Sequence, residues 1–531
     1  MKLTFCGGAR TVTGSSFLLE AAGKKILIDC GLFQGSKRLR LRNAGEYPYN
    51  PAEIDFIIAT HSHIDHIGLI PRLVKDGFCG RVLATPATKD LAQIMLPDSG
   101  HIQTMEAEWL TRKNQRAGRP AVEPLYTVED AEASLRFFDA IPYYSQYAIS
   151  TEIQLKFYDA GHILGSAIVE LQVTENGKHE KLVFSGDLGK SNQPIIRDPD
   201  VVEEADYLII EGTYGTREHE LEAEKLEILQ TLIHQTVKRQ GNIVVPSFAV
   251  GRTQEILYYL SQLMRDAKIP NIPIYIDSPL AISATEIFSR HPECYDVQMR
   301  QLLHSGQDPF RFPEVIFTKT PQESQKINRI PGGAMIISAS GMAEAGRIKH
   351  HLKHNLWREE STILFVGYQA EGTLGRRILE GAKRVKVFGE EISVRAQIVA
   401  IDGFSAHADR SELMGWLNKF IRKPKQVILV HGEEDVLTQF SAEIEKELGL
   451  PTYIPNYLET MELKVTGTEL ATTSQALAKV KSREMMQEWL DFAKEFTSRL
   501  ELALSEEDDE ERLLALEKEL AMIRNCQLEN F

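Results

Sequence analysis

No stretch of this sequence approaches the ~20 consecutive apolar residues that a membrane-spanning helix needs, so no membrane partner is expected. Gly7, Gly8 and Arg10 interrupt the apolar residues near Met1, and no signal peptide is read there. Cysteine is scarce: five in 531 residues, at Cys6, Cys30, Cys79, Cys294 and Cys526. They are odd in number and scattered, and no pair has zinc-knuckle spacing. A disulfide framework and a thiolate metal site are therefore not expected, whereas inert thiols in a reducing cytoplasm are. Positive charge is also short, with 60 Lys and Arg against 75 Asp and Glu and a net charge of −15. That balance excludes nucleic-acid binding through global charge. The deficit is uneven, however, because residues 481–531 hold seven basic and fourteen acidic residues. Any nucleic-acid contact would rest on a local basic patch. Repeats and low-complexity linkers are lacking too. What remains is an ordinary globular composition in a chain too long for one core, since single cores stop growing near ~250–300 residues.

Short apolar runs separated by turn residues read as strands at Leu3–Phe5, Ser16–Leu19, Lys25–Ile28 and Phe56–Ala59. Helical periodicity follows Asp65 and returns near Thr88–Met95, and strands resume at Gln154–Tyr158, Ile168–Val173, Lys181–Phe184 and Tyr207–Ile210. This order predicts a layered α/β sandwich. From about residue 211 helices and strands alternate, as a second α/β unit with a parallel sheet would. Strand signal returns at Arg395–Ile401 and Gln426–Val430. Residues 481–531 read as an acidic helical hairpin, with one apolar stripe through Met485, Trp489, Phe492, Phe496 and Leu500 and another through Leu513, Leu516, Leu520 and Ile523. Such a pair would pack on the body or on a partner chain, and a homodimer is the form considered.

The densest chemistry is His61-Ser62-His63-Ile64-Asp65-His66, directly behind the strand Phe56–Ala59. Alternate spacing lets His61 and His63 point one way while Asp65 and His66 turn to another side. One metal could take the first pair and a second metal the other. Imidazole and carboxylate together suit zinc, among other divalent metals.

This run resembles the signature of the metallo-β-lactamase superfamily, and other motifs of that family follow in order. Asp29 in Ile28-Asp29-Cys30-Gly31 resembles the first motif, whose acid orients a ligand histidine. His162 in Ala160-Gly161-His162 resembles the third, and Asp187 in Ser185-Gly186-Asp187 the fourth, a carboxylate that bridges two metals. His431, the candidate closing histidine, lies 244 positions after Asp187, a gap filled by the second α/β unit. That interruption resembles the β-CASP branch of nucleases. Glu211 in Glu211-Gly212-Thr213-Tyr214-Gly215, His407 in Ser405-Ala406-His407-Ala408-Asp409 and His431 in Val430-His431-Gly432 are similar to its motifs A, B and C. Gly212 departs from the serine common there.

The resemblance implies a metallo-β-lactamase αββα sandwich with an inserted β-CASP α/β domain, to which the helical tail is added. The expected segments are 1–206 and 389–466 for the sandwich, 207–388 for the insert and 467–531 for the tail. It also implies two Zn2+ ions. His61, His63 and His162 would hold one, Asp65, His66 and His431 the other, and Asp187 would bridge them. Asp29 would support the site, Asp65 would serve the chemistry as well as a metal, and His407, held by Glu211, would protonate the leaving oxygen or steady the phosphate. The expected substrate is single-stranded RNA, cut endonucleolytically to 5′-phosphate and 3′-hydroxyl ends. The opening Gly7-Gly8-Ala9-Arg10-Thr11-Val12-Thr13-Gly14-Ser15 resembles the group related to the cleavage and polyadenylation endonuclease. The alternatives are a 5′ exonuclease like RNase J, a thioester or lactam hydrolase, and an RNA-binding scaffold. Three turn-rich stretches, Pro246–Arg252, Ser338–Met342 and Gly367–Thr373, resemble the family as well, and glycine- and serine-rich turns of this kind offer free N–H groups suited to phosphates. Lys37, Arg38, Arg40 and Arg42, and Arg376, Arg377, Lys383, Arg384 and Lys386, form two basic clusters.

Overall fold

A computed structural model describes residues 1–464 except 220–221, 368, 370–371 and 402–404. The expected helical tail lies outside the described residues. None of the described helices is long and apolar enough to cross a membrane.

In chain order the strands are β1 (Lys2–Phe5), β2 (Phe17–Ala21), β3 (Lys24–Ile28), β4 (Phe56–Ile58), β5 (Arg81–Ala84), β6 (Phe138–Ala140), β7 (Gln146–Ala148), β8 (Ile153–Asp159), β9 (Ala167–Glu175), β10 (Lys178–Phe184) and β11 (Tyr207–Glu211). After these come β12 (Ile243–Pro246), β13 (Ile274–Ile276), β14 (Val315–Phe317), β15 (Met335–Ser338), β16 (Thr362–Phe365), β17 (Arg384–Val387), β18 (Glu390–Ser393), β19 (Gln397–Ala400), β20 (Gln426–Val430), β21 (Thr452–Tyr453) and β22 (Thr460–Glu462). Two seven-stranded sheets, ordered β22-β1-β2-β3-β4-β5-β6 and β21-β20-β11-β10-β9-β8-β7, face each other. Alternation places their shared core. β8 is buried at every second residue, and Leu155 and Phe157 meet Phe17, Ile26, Phe184 and Ile209 between the sheets. Helices cover both outer faces, Pro86–Arg116 on the first and Arg410–Asn418 with Glu434–Leu448 on the second. The result is the expected αββα sandwich.

A third sheet, β14-β13-β15-β12-β16-β19, is parallel throughout, with helices on both faces. It is the inserted unit, but both expected boundaries need correction. β11 pairs with β10 and β20, so residues 207–211 belong to the sandwich. β19 pairs with β16, so the third sheet continues past residue 388 to Ala400. A period-two pattern tells which face a strand buries and says nothing of its neighbours.

The insert's core is continuous with the sandwich. Ile163 and Leu164 pack into the same cluster as Ala249, Val250 and Ile256. The loop after β12 therefore rests on the segment that carries His162.

Candidate metal centre

Asp29, His61, His162, Asp187, Glu211 and His431 lie at or just past the carboxyl ends of strands, and Asp65 and His66 on the helical turn that follows β4. Parallel pairing of β3 with β4 places Asp29 and His61 side by side, and parallel pairing of β10, β11 and β20 does the same for Asp187, Glu211 and His431. The backbone is bent hard to aim them. Asp29 and His431 adopt left-handed φ values of 61° and 46°, a cost usually borne at functional sites. Close approach demands glycine at Gly31, where a Cβ would sit 1.6 Å from the Asp65 carbonyl oxygen. The same holds at Gly189, whose Cβ would sit 1.6 Å from the Gly161 carbonyl oxygen, beside His162.

The side chains form two sets around one carboxylate. Asp187 Oδ2 lies 3.5 Å from His61 Nε2 and 3.6 Å from His162 Nε2. Its Oδ1 lies 3.3 Å from His66 Nε2 and 3.8 Å from His431 Nε2. His63 Nδ1 closes the first set, 3.0 Å from His61 Nε2 and 3.3 Å from His162 Nε2. Asp65 Oδ2 closes the second, 4.0 Å from His431 Nε2. Within each set every ligand atom lies within 4.8 Å of the others.

Hydrogen bonds behind the rings decide their tautomers. Thr60 donates its amide N–H and its hydroxyl to the two oxygens of Asp29, both at 2.8 Å. With its single proton so used, Thr60 Oγ1 can only accept from His61 Nδ1–H at 3.1 Å. His66 Nδ1–H donates to Asp29 at 2.7 Å, and His431 Nδ1–H to Ser15 Oγ at 2.6 Å. Each of these rings therefore turns its Nε2 inward, where it can ligate once unprotonated. Converging lone pairs repel unless a cation stands among them. Buried His66 Nε2 and Asp187 Oδ1 have no hydrogen-bond partner among the described residues, as metal-ligating atoms would not. Burial, with the neighbouring histidines, holds His61 and His162 well below the ordinary imidazole value, and burial takes His63 to about 4, so all three are neutral ligands. Burial alone would raise Asp187, but the neighbouring histidines, His431 and His66 foremost, keep it well below the usual carboxylate range; Asp187 and Asp29 in turn overcome burial and hold His66 well above the ordinary imidazole value, a proton that a bound cation would displace. These residues fit a pair of divalent cations.

His407 and Glu211 sit beside this centre. The isolated bridge between Gly189 and His407 fixes the histidine's backbone against the Asp187 loop. Its Nδ1–H donates to both oxygens of Glu211, at 3.0 and 3.1 Å, and its Nε2 lies 3.9 Å from Asp187 Oδ2. Glu211 is fully buried and also accepts the Leu188 N–H at 2.7 Å. Burial opposes charge on His407, yet Glu211 and Asp187 outweigh it and lift the imidazole to about 9.

The sequence reading missed Thr60, Ser15 as a partner of His431, and His219, whose Nε2–H donates to the His407 carbonyl at 2.9 Å.

Residues 9–96 match the metallo-beta-lactamase superfamily, residues 253–378 the Beta-Casp domain, and residues 391–455 the Zn-dependent metallo-hydrolase RNA specificity domain. A protein named Ribonuclease TTHA0252 from Thermus thermophilus is 36% identical over 437 residues, 82% of this chain and 94% of its own length. The chain belongs to the β-CASP family of metallo-β-lactamase-fold hydrolases. Other β-CASP relatives include one named transcription termination factor FttA from Thermococcus kodakarensis, 34% identical over 87% of this chain and 72% of its own. Another, named RNase J-like protein, from Methanocaldococcus jannaschii, is 33% identical over 85% and 97%. The departure at Gly212 from the β-CASP motif has a local cause: a Cβ there would come within 2.5 Å of Leu437 Cδ2.

Proposed function

We propose that this chain is a cytoplasmic two-zinc ribonuclease that cuts single-stranded RNA internally, leaving 5′-phosphate and 3′-hydroxyl ends. The observation that carries the reading is Asp187, with one oxygen turned to each histidine set and the His407–Glu211 pair directly behind it. A lactam or thioester hydrolase needs neither the inserted sheet nor that pair. A scaffold would have no use for two complete ligand sets. The ribonuclease names among the relatives favour RNA. The described cysteines Cys6, Cys30, Cys79 and Cys294 are free thiols, which suits a reducing compartment.

His61, His63 and His162 would hold one zinc, Asp65, His66 and His431 the other, and Asp187 both. Two such ions would supply an activated water and offset negative charge on the phosphate. Asp29 fixes the His66 ring and, through Thr60, the His61 ring, so both present Nε2 to the metals. His407 carries the proton that the leaving 3′ oxygen takes, and Glu211 keeps that proton on the ring. The test is a single-stranded RNA labelled at either end, with zinc measured on the same protein. Internal products and close to two zinc ions per chain are expected. Mononucleotides released in order from the 5′ end would replace the reading with an exonuclease, and thioester turnover without RNA cleavage would end it.

Asp29→Asn tests the support behind the ligands. It removes the anion that receives the His66 Nδ1–H and the Thr60 hydroxyl. Partners of this kind are worth roughly 10–100-fold in metal affinity, so competition with a chelator should show a loss in that range in a folded protein. Unchanged affinity would mean that Asp29 only shapes the turn.

A further inference from the structure

Lys37, Arg38, Arg40 and Arg42 place four cations in six residues of a chain whose net charge is −15, with no acid until Glu46. Lys37, Arg38 and Arg40 occupy one exposed helical turn, Lys37–Arg40, capped by Ser36. Among the described residues no carboxylate lies within ion-pair distance of these three. The second basic cluster is different, because Arg376 pairs with Glu380 and Arg384 with Glu391, so acids of its own segment engage two of its five cations.

The turn is held firmly and close to the metal centre. The Asn43 side chain accepts from the Phe33 N–H at 2.8 Å and donates to the Phe33 carbonyl at 2.7 Å, which closes the loop at its base. Arg42 lies flat on Tyr457, 3.8 Å from the ring centre, and so serves as packing. Below that base, the Cys30 N–H donates to the His66 carbonyl at 2.7 Å and the Leu32 N–H to the Ile64 carbonyl at 2.9 Å. The loop therefore grows out of the backbone that carries the ligands. Lys37 lies five positions after Leu32, a span of at most about 18 Å. The turn therefore stands only a short length of chain from the backbone that carries Asp65 and His66, within reach of a strand bound at the metal centre.

We propose that Lys37, Arg38 and Arg40 form a phosphate-binding track that guides single-stranded RNA to one side of the metal centre. The proposal rests on the ribonuclease reading above. Exposed cations with no ion pair to break can meet a polyanion at little cost, and guanidinium groups suit phosphate geometry. An acidic protein surface would match the charge equally well. The continuity of the loop with the catalytic motif favours the strand.

The test is the triple variant Lys37→Gln, Arg38→Gln, Arg40→Gln, compared with the unaltered protein on a 20-nucleotide RNA and on RNAs shortened stepwise from each end. The three side chains are exposed, so melting temperature and metal content should not change. KM for the long RNA should rise tenfold or more at low salt, with kcat preserved. The slope of log Kd against log salt should become shallower by about 2, since each single-strand phosphate contact contributes ~0.7. Shortening from one end should weaken binding to the unaltered protein and leave the variant indifferent. An unchanged salt slope, or equal losses on shortening in both proteins, would overturn the track. A protein that neither binds nor cuts RNA before substitution would sink the ribonuclease reading instead, so the two failures are distinguishable.

Discussion

Asp187→Ala should remove metal and activity together, leaving less than one ion per chain and a cleavage rate lowered by more than ~10⁴-fold. Asp187 is 2% exposed and surrounded by His61, His66, His162, His407 and His431. It supplies negative charge to both sets, while the first set otherwise consists of neutral imidazoles. Without it, two dications would stand close together with only Asp65 to offset them. The loss should exceed the ~10²–10⁴ that one positioned acid or base is worth, because both ions act on the same phosphate. Asp187→Asn sharpens the point. An amide keeps one oxygen acceptor and turns an N–H₂ toward the other set, so it should retain at most one ion and remain as inactive as the alanine variant. Elemental analysis after gel filtration, beside a single-turnover assay on RNA, reads both quantities. Two ions bound at unaltered affinity in Asp187→Ala would show that the carboxylate is not a bridge.

The contrast between what the sequence disclosed and what it hid follows from how local each signal is. His61, His63, Asp65 and His66 fall within six residues, so spacing alone indicates two directions of ligand, and the folded chain turns them as that spacing requires. Glu211 and His407 stand 196 positions apart and meet because both are held by the loop after β10: the Leu188 N–H bonds to Glu211 and the Ala408 N–H to the Leu188 carbonyl. Nothing local in either residue announces that meeting; the family motifs suggested it. Thr60 and Ser15 were hidden for another reason. Hydroxyl side chains serve turns, caps and ligands alike, so their bonds to His61 and His431 have no sequence signature. The displaced domain boundaries at β11 and β19 have the same origin as most topology errors. Alternation marks the buried face of a strand, while the partner strand is chosen by the whole chain. The sandwich was legible because its strands are short apolar runs bounded by turn residues, β8 alternating throughout; the sheet to which its boundary strands belong was not.

His407→Ala should separate chemistry from metal binding. The variant should keep both ions and its RNA affinity, because the seven proposed ligands and the basic turn are untouched. Its cleavage rate should fall by roughly 10²–10⁴. The pH profile tests the role more sharply than the loss itself. Burial lowers the His407 value and Glu211 and Asp187 raise it, for a net lift from 6.5 to about 9. An acid must carry its proton to donate it, so activity due to His407 is present below that value and is lost as pH rises through it. With metal bound, Asp187 would be engaged and the charge of the ions would itself oppose the proton, so the limb should fall below about 9 while Glu211 still raises it. Glu211→Gln keeps an oxygen to accept the Nδ1–H and removes the charge. It should move the limb to lower pH while leaving metal content normal. A merely structural pair would lower the rate equally at every pH. Single-turnover cleavage measured across pH 5.5–9.5 on the unaltered protein and on Glu211→Gln distinguishes these. If the two limbs coincide, or if His407→Ala cuts a long RNA at a near-normal rate with product release excluded as the slow step, His407 is not the proton donor, and the leaving oxygen must take its proton from solvent.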